Sequence, residues 1–221
     1  MATETLKAVD GHDLSAYVTG AEPTARGLVV VQEIFGVNHH IRSVCERFAA
    51  KGYAVVAPAL FDRVERGVEL GYDEAGITRG RDLRAKVSES GAIADIEAAA
   101  KRLGDRPIGI VGYCWGGTVA WWGATRARKF RAASCWYGGG IAATRTETPL
   151  CPVQMHFGEK DASIPLSDVQ AIRAAQPAVE IYVYPGAQHG FGCDERGSFD
   201  PAAADFAQQR TLAFFAAKLA A

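Results

Sequence analysis

The sequence predicts one α/β domain, a mostly parallel sheet covered by helices on both faces. Short apolar runs alternate along the chain with longer segments whose apolar residues recur at helical spacing, the signature of strand–helix–strand units. The apolar runs are largely continuous rather than alternating, as expected of strands buried on both faces. A chain of 221 residues, 48% hydrophobic and 22% charged, suits a single packed core, so residues 1–221 are expected to form one domain.

The first element is an antiparallel hairpin within residues 7–18, because Asp10-Gly11 is a favoured turn pair. Strands follow at 27–32, 53–57, 108–112, 132–137, 153–157 and 179–184, and helices at 39–51, 88–103, 116–127, 167–175 and 202–219. Ile93, Ile96 and Ala100 carry the helical spacing of the second helix, and Phe206, Leu212, Phe214 and Phe215 that of the last. Residues 63–86 break the alternation. They are polar, charged and punctuated by glycine, and read as an excursion over the sheet edge or a site.

Twenty-four Lys+Arg against 25 Asp+Glu leave a formal charge of -1, which gives no global bias towards nucleic acid or an anionic membrane. No apolar stretch approaches the roughly 20 residues of a membrane span, and the first residues carry no secretory pattern. A cytoplasmic protein is expected. Five cysteines without a CxxC pair then argue against a disulfide framework. Most need only be small buried hydrophobes, but Cys114 is placed differently.

An apolar run ends at Gly112 and a helical pattern begins after Gly117, with Gly112-Tyr113-Cys114-Trp115-Gly116 between them. Gly-x-Cys-x-Gly is the pattern of a nucleophile elbow, a sharp strand-to-helix turn that exposes its central side chain above the sheet. The helix N-terminus favours a thiolate and, later, an oxyanion. A buried cysteine at a glycine-rich junction is the bland alternative, so the partners decide. Strand 153–157 runs into a loop with Asp161, and strand 179–184 into one with His189. That is the order nucleophile, acid, histidine found in α/β-hydrolases, in which the histidine takes the thiol proton and the acid orients it. Glu159 ranks behind Asp161 because it lies nearer the strand end. His156 falls within a strand and reads as a packed residue. His39-His40 point in different directions from a helix and lack matching ligand spacing, so no metal is expected.

With these pieces together the chain resembles the dienelactone hydrolase (carboxymethylenebutenolidase) family over nearly its whole length. The resemblance rests on residues 32–38 (Gln-Glu-Ile-Phe-Gly-Val-Asn), Gly52-Tyr53 through Ala57-Pro58, residues 111–117 around the elbow, Gly158 with Asp161, and residues 186–191 around His189. It implies an α/β-hydrolase fold and a triad of Cys114, His189 and Asp161. It implies that Glu33 meets the resting thiol and helps to activate it when substrate arrives, and that the amides of Ile34 and Trp115 form the oxyanion hole.

One departure bears on substrate. Four positions beyond the histidine, where dienelactone-cleaving members carry an arginine for the substrate carboxylate, stands Cys193. Arg79 or Arg81 is the candidate for the second arginine, and Arg196 replaces the first only if its loop folds back. Cys193 itself reads as a second exposed thiol or a small filler. Phe35 and Tyr137 are expected to wall the pocket. The function expected is hydrolysis of a small lactone or ester without cofactor, by a monomer or weak homodimer that binds neither nucleic acid nor membrane. The alternatives are carboxylesterase or thioesterase action on a neutral substrate, or a non-hydrolytic thiol redox or binding protein on the same fold.

Overall fold

A computed structural model describes residues 2–20 and 24–220. Strands β1 (Ala2–Lys7) and β2 (Asp13–Thr19) form the opening hairpin. They are followed by β3 (Arg26–Val31), β4 (Tyr53–Pro58), β5 (Ile108–Tyr113), β6 (Ala132–Trp136), β7 (Val153–Gly158) and β8 (Glu180–Tyr184). All eight join one sheet in the order β1-β2-β4-β3-β5-β6-β7-β8. β1 and β2 pair antiparallel, as do β2 and β4, and the other neighbours are parallel. The α/β-hydrolase architecture expected from the sequence is present, with strand ends shifted by a residue or two. The hairpin is longer than expected, since its first strand begins at Ala2.

Helices α1 (His39–Ala49), α2 (Glu74–Lys86), α3 (Glu89–Arg102), α4 (Trp115–Arg126), α5 (Leu166–Ala175) and α6 (Pro201–Lys218) connect and cover the strands. Asn38, Asp73, Ser88 and Asp200 cap α1, α2, α3 and α6 by accepting a backbone N–H of the first turn. Phe206 is a correction: it points to solvent, 59% exposed, because the buried stripe of α6 runs through Ala203, Ala207, Thr211, Phe214 and Phe215. Thr211 belongs to a buried polar cluster in which His156 bonds Tyr184, Gln154 and Thr211. His156 is thus the packed residue its strand position suggested. Among the described residues no helix is long and apolar enough to cross a membrane.

The excursion at 63–86 contains a helix the sequence pattern hid. α2 is strongly charged and buries only Gly76, Gly80 and Leu83, so it shows almost no apolar stripe. Its position comes from glycine: a Cβ on Gly80 would lie 2.0 Å from the Ile34 carbonyl oxygen, and one on Gly76 2.1 Å from that of Gly71. α2 therefore sits directly on the backbone that follows β3. Arg63 anchors the start of the excursion through two bonds of 2.7 and 2.8 Å to the buried Asp95 on α3. Asn38 fastens its middle by donating to the Tyr72 hydroxyl at 3.1 Å.

The strand order reverses between β3 and β5, which are neighbours although the chain passes through β4 between them. The carboxyl ends of such strands leave a crevice where loops diverge. The segment after β3 and the turn after β5 meet there.

In an ordinary exposed helix Gly→Ala stabilises by up to about 1 kcal/mol. Gly80→Ala is expected to do the reverse, lowering stability by about 1–3 kcal/mol as α2 is pushed off Ile34; urea unfolding of the variant measures it.

Candidate active site

Cys114 ends β5 and caps α4 with φ 56° and ψ -119°, a conformation that costs a non-glycine residue about 1–3 kcal/mol. The flanking glycines show why the turn holds. A Cβ on Gly112 would stand 1.9 Å from the Gly116 carbonyl oxygen, and one on Gly116 2.4 and 2.5 Å from those of Val31 and Gln32. The turn closes because two backbones touch where side chains would normally stand. The Cys114 amide donates to the Trp136 carbonyl at 3.0 Å, sewing the turn to β6.

Cys114, His189 and Asp161 form a chain of contacts. His189 Nε2 lies 3.1 Å from Cys114 Sγ, and His189 Nδ1 lies 2.7 Å from Asp161 Oδ2. The other Asp161 oxygen accepts the amides of Ser163 at 2.8 Å and Ile164 at 3.1 Å, so the carboxylate is fixed from behind. Glu159 is turned away and accepts the Gly186 amide. Burial alone would push the His189 imidazole down, but the charge of Cys114 and the bonds to Asp161 and Cys114 outweigh it and raise it to about 10.

Ile34 and Trp115 both face a cleft of about 390 Å³ that also holds Phe35, Cys114, His189 and Arg196. Trp115 is the first residue of α4, so its amide has no intrahelical acceptor. The contact of Gly116 with Val31 and Gln32 keeps the segment carrying Ile34 beside it.

Glu33 is 1% exposed. In this arrangement its Oε1 engages Arg196 Nη1 at 3.4 Å, while the sulfur engages His189. The loop after His189 does fold back: Ser198 Oγ donates to the His189 carbonyl at 2.7 Å. Arg196 then lies against the rings of Phe35 and Tyr72 at 5.6 and 5.8 Å. Gly190, with φ 76°, makes room, since a Cβ there would lie 2.4 Å from Arg196 Nη1.

Two expectations need correction and one open alternative is decided. Of the two arginine candidates only Arg81 lines the cleft, with Arg84, which sequence reasoning missed. Arg79 is spent on an ion pair with Glu65. A helical turn carries 81 and 84 to one face, a signal hidden while 63–86 was read without a helix. Tyr137 does not wall the cleft: it is fully buried and packs edge-on behind His189, 5.2 Å between ring centres. Of the two readings of Cys193, the small filler holds and the exposed thiol does not. Cys193 is buried too, and burial with the charge of Glu33 pushes its thiol up to about 12.

The model of the dienelactone hydrolase family matches residues 14–219. The chain belongs to the dienelactone hydrolase family. A Synechocystis sp. protein provisionally named carboxymethylenebutenolidase is 37% identical over 90% of both chains. Another so named, from Salmonella typhimurium, is 36% identical over 93% of this chain and 83% of its own. The crystal structure of a provisionally named dienelactone hydrolase from Klebsiella pneumoniae superposes with a TM-score of 0.80 at 34% identity, covering 98% of this chain and 99% of its own. The family member described here is thus a hydrolase of the carboxylic ester class.

Because the folded value of His189 lies above the ordinary 6.5, the group contributes stability that is complete below about pH 6.5 and lost as pH rises through about 10. Its ring Cε1–H resonance is expected to titrate near 10 and to fall markedly in Cys114→Ala; a wild-type midpoint near 6.5 contradicts this.

Proposed function

We propose that this member of the family hydrolyses a small lactone or ester that carries a carboxylate, using Cys114 as nucleophile. The observation that carries the reading is the chain Cys114–His189–Asp161, with contacts of 3.1 and 2.7 Å, opening on a cleft lined by Arg81, Arg84 and Arg196.

His189 takes the thiol proton through Nε2 and holds it as imidazolium, oriented by Asp161. The thiolate attacks the ester carbonyl, and the new oxyanion accepts the amides of Ile34 and Trp115 at the N-terminus of α4. Each such donor is commonly worth about 3–4 kcal/mol in the transition state. Collapse releases the alkoxide or enolate, which takes the proton from His189. His189, neutral again and still oriented by Asp161, then deprotonates the attacking water. Water then attacks the thioester, and the acid is released with the enzyme restored.

Arg196 couples binding to activation. At rest it is shared with Glu33 across 3.4 Å. A substrate carboxylate in the cleft competes for the guanidinium and loosens Glu33, which then turns to the thiol and assists its deprotonation. Arg81 and Arg84 make no ion pair among the described residues and supply further positive charge at the mouth. This supports an anionic substrate over a neutral one.

The test compares kcat and KM for a carboxylated lactone and its methyl ester. Cys114→Ala is expected to lose about 10⁴-fold or more in kcat on both. Arg196→Ala should raise KM for the carboxylated substrate by roughly ten- to hundredfold, the equivalent of about 1.5–3 kcal/mol for a hydrogen bond between charged groups, with little change for the methyl ester. Equal losses on both remove the carboxylate assignment. Full turnover by Cys114→Ala removes the cysteine mechanism.

A further inference from the structure

Close to the catalytic cleft a second group of side chains comes together that the hydrolytic reaction does not employ as a set. Glu33, His40 and Cys193 are all buried, and a ligand atom from each lies within 4.8 Å of the other two. They come from the segment after β3, the first turn of α1 and the loop after His189, so no sequence spacing announces them.

Two features point to a ligand. Glu33 Oε2 and His40 Nε2 are buried with no hydrogen-bond partner, although each residue has its other polar atom engaged. Glu33 Oε1 meets Arg196 at 3.4 Å, and His40 Nδ1 meets Asp194 Oδ1 at 2.8 Å. Buried orphan atoms are costly, about 1–3 kcal/mol each, and two in one cluster are better explained by a shared partner than by coincidence. The His40 contact also sets the tautomer. A carboxylate at Nδ1 accepts the ring N–H and leaves the lone pair on Nε2, the arrangement typical of metal-bound histidine. Asp194 is itself held by Arg47 at 3.2 Å.

We propose that Glu33 Oε2, His40 Nε2 and Cys193 Sγ form a binding site for a thiophilic divalent transition-metal ion such as zinc. The set of one carboxylate, one imidazole and one thiolate suits zinc or a close neighbour, and disfavours magnesium and calcium, which take oxygen ligands. Binding releases the Cys193 thiol proton to solvent, so two anionic ligands and a neutral imidazole balance the ion's charge. Bonds of about 2.0–2.3 Å to one ion set tetrahedral ligand atoms roughly 3.5 Å apart, so the three side chains close in from their 4.8 Å limit. Arg196 touches Glu33 and also lines the cleft, so the cluster borders it.

Cobalt(II) is the probe, added to chelator-treated, tag-free full-length Cys114→Ala protein so that the thiol beside His189 cannot contribute. One equivalent is expected to bind with a thiolate-to-cobalt charge-transfer band and the intense visible bands of tetrahedral cobalt, and zinc should displace it. The Cys114→Ala/Cys193→Ser protein should lose the charge-transfer band. Asp194→Asn, a change at a partly exposed side chain that leaves the three ligands in place, should weaken binding by about 10–100-fold. It keeps the test decisive should the Cys193 variant fold poorly. Absence of the band in Cys114→Ala, its survival in the Cys193→Ser background, or unchanged affinity in Asp194→Asn overturns the proposal.

Discussion

The close contact of Gly112 with the Gly116 carbonyl, and of Gly116 with the carbonyls of Val31 and Gln32, is the constraint on which the rest of the site depends. It bends the chain from β5 into α4 within one residue and forces Cys114 to a positive φ. The same contact sets the α4 N-terminus against the end of β3, which places Ile34 beside Cys114 on the cleft. Any larger side chain at either glycine would open both junctions together. Cys114 and the surfaces around it are thus positioned by one piece of backbone packing.

Around that fixed point the electrostatics are arranged in two linked pairs. Cys114 and His189 form one, steadied by Asp161 and the amides of Ser163 and Ile164. Glu33 and Arg196 form the other, and its 3.4 Å separation is long for a charged contact. The first pair is rigid, held by a carboxylate with both oxygens occupied. The second is looser, and its Arg196 lines the cleft. Gly190 belongs to this design, because only its missing Cβ lets Arg196 lie where it does.

Much of this was legible in the sequence because it is local. The elbow glycines, the strands and the order of Cys114, Asp161 and His189 follow from periodicity and spacing, which backbone geometry imposes directly. What was hidden depends on contacts across the fold. α2 lacks an apolar stripe because glycines seat it, so residues 63–86 read as an irregular excursion and the shared face of Arg81 and Arg84 went unseen. Tyr137 was placed on the cleft wall because an aromatic after β6 can face either way, and only packing against His189 and Phe191 decides it. Phe206 misled in the same manner, its helix turning its alanines and Thr211 inward instead. For Cys193 the choice between exposed thiol and small filler stayed open, since the fold-back of the loop after His189 comes from Gly190, Arg196 and Ser198 acting together.

The central claim is that Cys114 forms a covalent thioacyl intermediate. Rapid quenching of the wild-type enzyme with an activated aryl ester, followed by intact-mass measurement and peptide mapping, tests it most directly. The account predicts an added mass equal to the acyl group, on the peptide containing Cys114, that forms before steady state and is absent from Cys114→Ala. Turnover with no adduct at any quench time, or an adduct carried by another residue, would contradict it.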